Sequence, residues 1–232
     1  MSTTAVFLAL LAGVIVWIMV VRRLTAKSWE SRSQAADVGA ATDGDVAPGD
    51  VGDIALTPAK LGLAMFLAVV TSLFGLFFSA YSMRMHHGHD WSHFSEPKIL
   101  WVNTVVLILA SIALERARSA VKQGAARDLK IALVAAGVFT FAFLGGQLAA
   151  WQQLSASGQF ISTGPAAAFF YLLTAVHGLH LLGGLLVWGK TIGRLAGGAE
   201  LIDVRLSVDL CAIYWHFLLV VWLFLFGMLL ST

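Results

Sequence analysis

Six apolar runs, at roughly 4–21, 61–83, 99–118, 130–154, 165–189 and 207–230, dominate the chain. A lipid hydrocarbon core about 30 Å thick is crossed by about 20 residues of helix, and each run is of that order. Transmembrane strands would be about 10 residues long, with polar and apolar positions alternating. These runs are longer and apolar on every side. The reading is therefore all-α: a polytopic membrane helical bundle with six spans. Only 12% of the 232 residues are charged, against about 25% in a soluble domain. That supply is too small to coat a water-facing surface.

The remaining charges set the topology. With the N-terminus placed outside, thirteen of the 15 Lys and Arg residues fall on inside segments, and only Arg84 and Lys98 on outside ones. Positive charge is retained on the cytoplasmic side, so both termini are expected on the outer, periplasmic face of a bacterial plasma membrane. The first run has no charged side chain before it, and Arg22 and Arg23 follow it. A secretory signal has the reverse order, so residues 1–23 read as an uncleaved anchor. Residues 24–59 are rich in Ser, Ala, Gly and Asp and have almost nothing to bury. They read as a flexible linker on the cytoplasmic side, leaving a five-helix domain over 60–232.

Ionisable groups at bilayer depth are costly and face a partner or a cavity. The fifth run carries His177 and His180; the sixth carries Asp209 and His216. His177 and His180 are three apart and share a helix face. A rise of 1.5 Å per residue puts His180 and His216 both about 15 Å from the inner face, a depth at which the two could meet across a helix pair. Gly178, Gly183 and Gly184 would permit a close approach there. Three readings stay open: structural hydrogen bonding, a haem or metal held by a cross-helix histidine pair, and proton handling near the inner surface with Asp209. Asp209 also reads as a cap at the start of its span.

The outside loop carries His86, His87, His89, Asp90 and His93. That set offers imidazole ligands for copper or zinc, but its spacing matches no defined site, and a wetted polar loop is the simpler reading. Glu115, with Arg116 and Arg118, reads as a snorkelling cluster at the inner end of the third run. A single cysteine, Cys211, excludes an internal disulfide framework and a thiolate-only metal cluster. No phosphate-cradling glycine loop, nucleophile triad or thiolate pair is present. The chain is not expected to run bond chemistry alone, and no nucleic-acid partner is expected.

The stretch Phe169-Phe170-Tyr171-Leu172-Leu173-Thr174-Ala175-Val176-His177-Gly178-Leu179-His180 resembles the Phe-Tyr-x-Leu-Thr-Gly-x-His-Gly-x-His signature of haem–copper oxidase subunit III. Tyr214-Trp215-His216-Phe217, followed by Val220-Val221-Trp222-Leu223-Phe224-Leu225-Phe226, resembles the last-helix signature of that family. Weaker matches are Lys60-Leu61-Gly62 with Phe66-Leu67; then Trp101, Asn103, Thr104 and Ser111; then Gln147 and Trp151. The resemblance covers about 60–232. The chain departs from the family at Val69 and Val70, where a buried Ser-Glu pair is usual, and at Ala150 and Leu219, where carboxylates are common. Asp209 keeps the acidic residue five before the family tyrosine. The pattern suggests a divergent bacterial branch.

The resemblance implies a subunit with no haem or copper of its own, those centres lying in partner chains. It also implies contact with catalytic subunit I, with subunit II, and with structural phospholipid. The expected function is support of assembly and stable turnover in a respiratory terminal oxidase that reduces oxygen to water and pumps protons. Two alternatives stand beside it: an accessory chain of a nitric-oxide reductase, and an independent membrane cytochrome b with its haem between His180 and His216. A transporter would show broken helices or inverted repeats, and neither is visible.

Overall fold

A computed structural model describes residues 58–87 and 98–230. The expected anchor at 1–23, the linker up to residue 57, and the loop with His89 and His93 lie outside the described residues, as do the side chains of His86 and His87. Five helices occur among the described residues: α1 Pro58–His87, α2 Ile99–Lys122, α3 Ala126–Ala156, α4 Pro165–Ala196 and α5 Leu201–Leu230. Each is long and apolar enough to cross a membrane, and no strand occurs among the described residues. The all-helical membrane fold expected from the sequence is therefore the one observed.

The helices outrun the apolar stretches that marked them. α2 continues to Lys122, α3 starts at Ala126, α4 continues to Ala196 and α5 starts at Leu201. Hydropathy marks only the part of a helix inside the hydrocarbon. The backbone keeps its internal hydrogen bonds beyond that depth, and the Lys and Arg side chains there reach water on flexible stems. The turns that follow α2 and α4 are short. After α2, Gly124 adopts φ 72° and Ala125 N–H donates to Ala120 O at 3.0 Å. After α4, Gly198 adopts φ 87° and Ala199 N–H donates to Arg194 O at 3.1 Å. This left-handed closure suits glycine and satisfies late helix carbonyls. Turns this short make α2 and α3, and likewise α4 and α5, antiparallel neighbours.

The chain divides into two units, residues 1–68 and 69–232; the first has only residues 58–68 described. In the second, α2 packs on α3 and α5, and α4 packs on α5 and α3. The buried face of α2 runs Leu100, Asn103, Thr104, Leu107, Ala110, Ser111 and Leu114, the three-and-four spacing of one helix stripe. Its other side shows Val102, Val105, Leu109 and Ile112 to the surroundings. An apolar exterior of this kind suits lipid, not water. The 69–87 part of α1 joins the second unit through one stripe, Val70, Phe74, Phe78 and Tyr81, all buried. Phe74 meets His180 at 5.6 Å, Phe78 meets Phe224 at 4.4 Å, and Tyr81 meets Phe169 at 5.5 Å between ring centroids.

Only one of the three glycines expected to let helices approach closely does so. A Cβ on Gly184 would lie 2.7 Å from Tyr214 Cε1 and 2.9 Å from Trp215 Cη2. A Cβ on Gly178 would meet Leu144 at an ordinary 3.9 Å, and one on Gly183 would meet nothing within 4 Å. Helix rotation explains the difference, since only Gly184 faces α5. Gly184→Val is expected to cost about 1–3 kcal/mol through overpacking, seen as a lower thermal midpoint in detergent. Gly183→Val should leave that midpoint almost unchanged.

Candidate functional site

The inner polar residues form a lattice of ties between helices. In hydrocarbon no solvent completes an unpaired donor, so each buried indole N–H needs a protein acceptor. Trp222 Nε1 of α5 donates to Thr104 Oγ1 of α2 at 3.0 Å. Trp215 Nε1 of α5 donates to Thr140 Oγ1 of α3 at 3.0 Å. Trp151 Nε1 of α3 donates to Thr174 Oγ1 of α4 at 3.0 Å. Each threonine hydroxyl in turn donates to the carbonyl one helical turn earlier: Leu100, Ala136 and Phe170 respectively. The hydroxyl thus accepts from one helix while donating to its own. Two further ties go straight to backbone. Trp188 Nε1 of α4 donates to Leu133 O of α3 at 3.0 Å, and the Tyr214 hydroxyl of α5 donates to His180 O of α4 at 2.9 Å.

Asp209 does not cap a helix start. α5 begins at Leu201 and the acid in its first turn is Asp203; Asp209 lies about two turns further in. Its Oδ1 accepts from Arg118 Nε of α2 at 2.9 Å. Glu115, more than half exposed, stands 3.7 Å from Arg118 on the same helix. The end of the bundle at the α2–α3 turn therefore carries a cross-helix ion pair with a solvated flank. Glu115 is exposed as the sequence suggests, whereas Arg118 is half-buried against Asp209, a partner 91 residues away in sequence for which there is no local signal.

His180 and His216 do not meet as their matched depth suggested. His180 Nδ1 is 2.7 Å from Val176 O and His216 Nδ1 is 2.6 Å from Ala212 O, so each ring is tied to its own helix. His180 lies against Phe74 of α1, whereas His216 is exposed on the outer side of α5. Counting residues gives depth along a helix but not azimuth; what crosses the α4–α5 pair at this level is Tyr214. The cross-helix imidazole pair needed for a bis-histidine haem is not formed. His177 is fully buried, with Phe143 at 5.9 Å and Trp222 at 5.3 Å between centroids. Gly178 lies beside it and is partly exposed. Among the described residues, no three His, Cys, Asp or Glu side chains gather as a metal site. Cys211 is free and buried.

A cleft of about 830 Å³ opens between the C-terminal half of α3 and the N-terminal half of α4, with Leu148, Trp151, Ser155, Tyr171 and Leu172 in its walls. The Tyr171 hydroxyl, in the cleft wall, donates to Gln159 O at 3.0 Å. Chemically the whole arrangement holds helices in register. The indole and hydroxyl groups of these ties are engaged with one another. Thr140→Val would strand the Trp215 indole N–H inside the bundle. The expected cost is about 1–3 kcal/mol, measured as a fall in the thermal midpoint of the detergent-solubilised protein.

Residues 49–230 match the family Cytochrome c oxidase subunit III. The chain is 31% identical over 173 residues to cytochrome c oxidase subunit 3 of Thermostichus vulcanus, covering 73% of this chain and 85% of that protein. It is 27% identical over 170 residues to cytochrome c oxidase subunit 3 of Synechocystis sp., covering 71% and 72%. It is 26% identical over 169 residues to cytochrome bo(3) ubiquinol oxidase subunit 3 of Pseudomonas aeruginosa, covering 71% and 80%.

Proposed function

The chain belongs to the cytochrome c oxidase subunit III family and is a bacterial subunit III of a haem–copper oxidase, and on that premise we propose that it serves the complex by contact and not by a redox centre of its own. In this reading haem and copper reside in partner chains. Catalytic subunit I is the main neighbour, with subunit II and phospholipid, in a respiratory terminal oxidase of the cytochrome-c type that reduces oxygen to water and pumps protons. The membrane is the bacterial plasma membrane, with both termini on its outer face. Residues 1–23 anchor the N-terminus, 24–59 link it on the cytoplasmic side, and 60–232 form the subunit III domain.

The observation that carries the reading is how the family-signature residues are used. Tyr214, Trp215 and Trp222 direct their polar atoms at neighbouring helices. His216, by contrast, stands exposed near the midpoint of α5. An imidazole facing lipid at that depth is costly, which supports a protein neighbour over this face. The α3–α4 cleft, apolar and on the outer half of the bundle, supports a place for an acyl chain. The orientation is supported by Arg118, Lys122, Arg127 and Lys130 around the α2–α3 turn and by Arg194 and Arg205 around the α4–α5 turn.

Affinity purification in mild detergent, with mass-spectrometric identification of what accompanies the chain, tests this directly. A large, multi-helix, haem-bearing subunit is expected. Recovery of the chain alone and coloured would overturn the proposal in favour of an independent haem protein. The double variant His180→Gln with His216→Gln is expected to lower the yield of assembled complex several-fold while leaving every haem signal per assembled complex intact. Loss of a haem from an otherwise intact complex would contradict the contact role.

A further inference from the structure

Three polar side chains from three helices lie at one level of the bundle with polar atoms that have no protein partner among the described residues. They are Asn103 of α2, Gln147 of α3 and His177 of α4, respectively 2%, 4% and 0% exposed. Among the described residues nothing pairs with Asn103 Nδ2, with either polar atom of the Gln147 amide, or with either ring nitrogen of His177.

Contacts of the neighbouring rings fix their common depth. Trp222 donates to Thr104, the residue after Asn103, and its ring touches both His177 and Phe143. Phe143 lies one turn before Gln147 on α3, and Trp151 one turn after it. Trp151 is bonded to Thr174, three residues before His177 on α4, while Phe143 touches His177 itself. Gln147 is thus bracketed on α3 by two residues whose α4 partners bracket the same level. On its other side, Asn103 packs so closely on Gly146 that a Cβ there would overlap the Asn103 carboxamide. Ser111 Oγ is also unpaired and buried, but it lies eight residues along α2, about 12 Å deeper, and belongs to another level.

We propose that Asn103, Gln147 and His177 enclose a binding site for one or a few ordered water molecules inside the bundle, bridging α2, α3 and α4. The donor and acceptor inventory selects the guest. Asn103 Nδ2 and Gln147 Nε2 donate, Gln147 Oε1 accepts, and a neutral imidazole offers one donor and one acceptor. An anion would want donors alone and a cation acceptors alone. A mixed, uncharged set fits water, which typically makes about three hydrogen bonds when buried. Lipid cannot supply such a partner, and leaving these groups unpaired in hydrocarbon would be costly. The water takes, between α2, α3 and α4, the role that threonine hydroxyls take under Trp222, Trp215 and Trp151. The site is independent of whether the chain contacts subunit I.

The test is a density map of the full protein in lipid nanodiscs, in whatever complex it purifies with, at a resolution that shows ordered waters. At least one peak within hydrogen-bond distance of both His177 and Gln147 is expected. A direct Gln147–His177 hydrogen bond with no such peak would overturn the proposal, because a dry bond would then satisfy the groups. In the variant Gln147→Leu the peak should vanish or move while the helices keep their places. A peak unchanged in that variant would likewise refute the assignment. A third measurement needs no variant. Magnetisation transfer from water to 15N-labelled histidine rings in the membrane-embedded protein should reach a buried ring that contacts tryptophan, and its failure to do so would count against the site.

Discussion

Lipid offers no hydrogen bonds, and the interior of this protein is arranged around that fact. Every helix presents a mostly apolar surface on all sides, so burial alone would not select one rotation over another. Packing shape narrows the choice, and polar pairing narrows it further, because a misrotated helix would leave an indole or hydroxyl stranded in hydrocarbon. The indole–threonine–carbonyl relays join α5 to α2, α5 to α3 and α3 to α4. Each uses a hydroxyl that its own helix already holds in place, so the acceptor is oriented before the second helix arrives. The relay costs little backbone disturbance, since the threonine bonds a carbonyl within its own turn.

Around that lattice the other features fall into place. Gly184 lets Tyr214 and Trp215 come down onto α4, which is what brings the Tyr214 hydroxyl to the His180 carbonyl. The Arg118–Asp209 pair closes the α2–α5 contact near the α2–α3 turn. The 69–87 part of α1 adds ring contacts of Phe74, Phe78 and Tyr81 with α4 and α5. Val69 and Leu76 on that part of α1 are exposed, an apolar surface that suits lipid or a neighbour.

Much of the functional reading was legible because the family signature lies on two helices whose chemistry is local in sequence. The run through His177, Gly178 and His180 and the run Tyr214-Trp215-His216 carry the resemblance that the comparisons bear out. The roles of those residues were less legible. His180 and His216 share a depth, and depth follows from counting residues. Whether two rings face each other depends on helix rotation about two axes, which no count supplies. Asn103, Thr104, Ser111 and Gln147 looked like weak family matches in sequence; in the fold they are the polar interior.

The sequence by itself determined that the chain is a membrane helical bundle, how many described spans it has, and which family it belongs to. Hydropathy and motif identity are properties of contiguous segments, and they survive without any knowledge of neighbours. Only the tertiary structure decided which glycine is a contact, which carboxylate has an arginine, and which histidine is sealed inside while another stands on the surface. Those facts turn on side-chain azimuth and on pairs far apart in the chain. In a bundle whose helices are apolar all round, no amphipathic pattern records the azimuth; the polar ties themselves are what fix it.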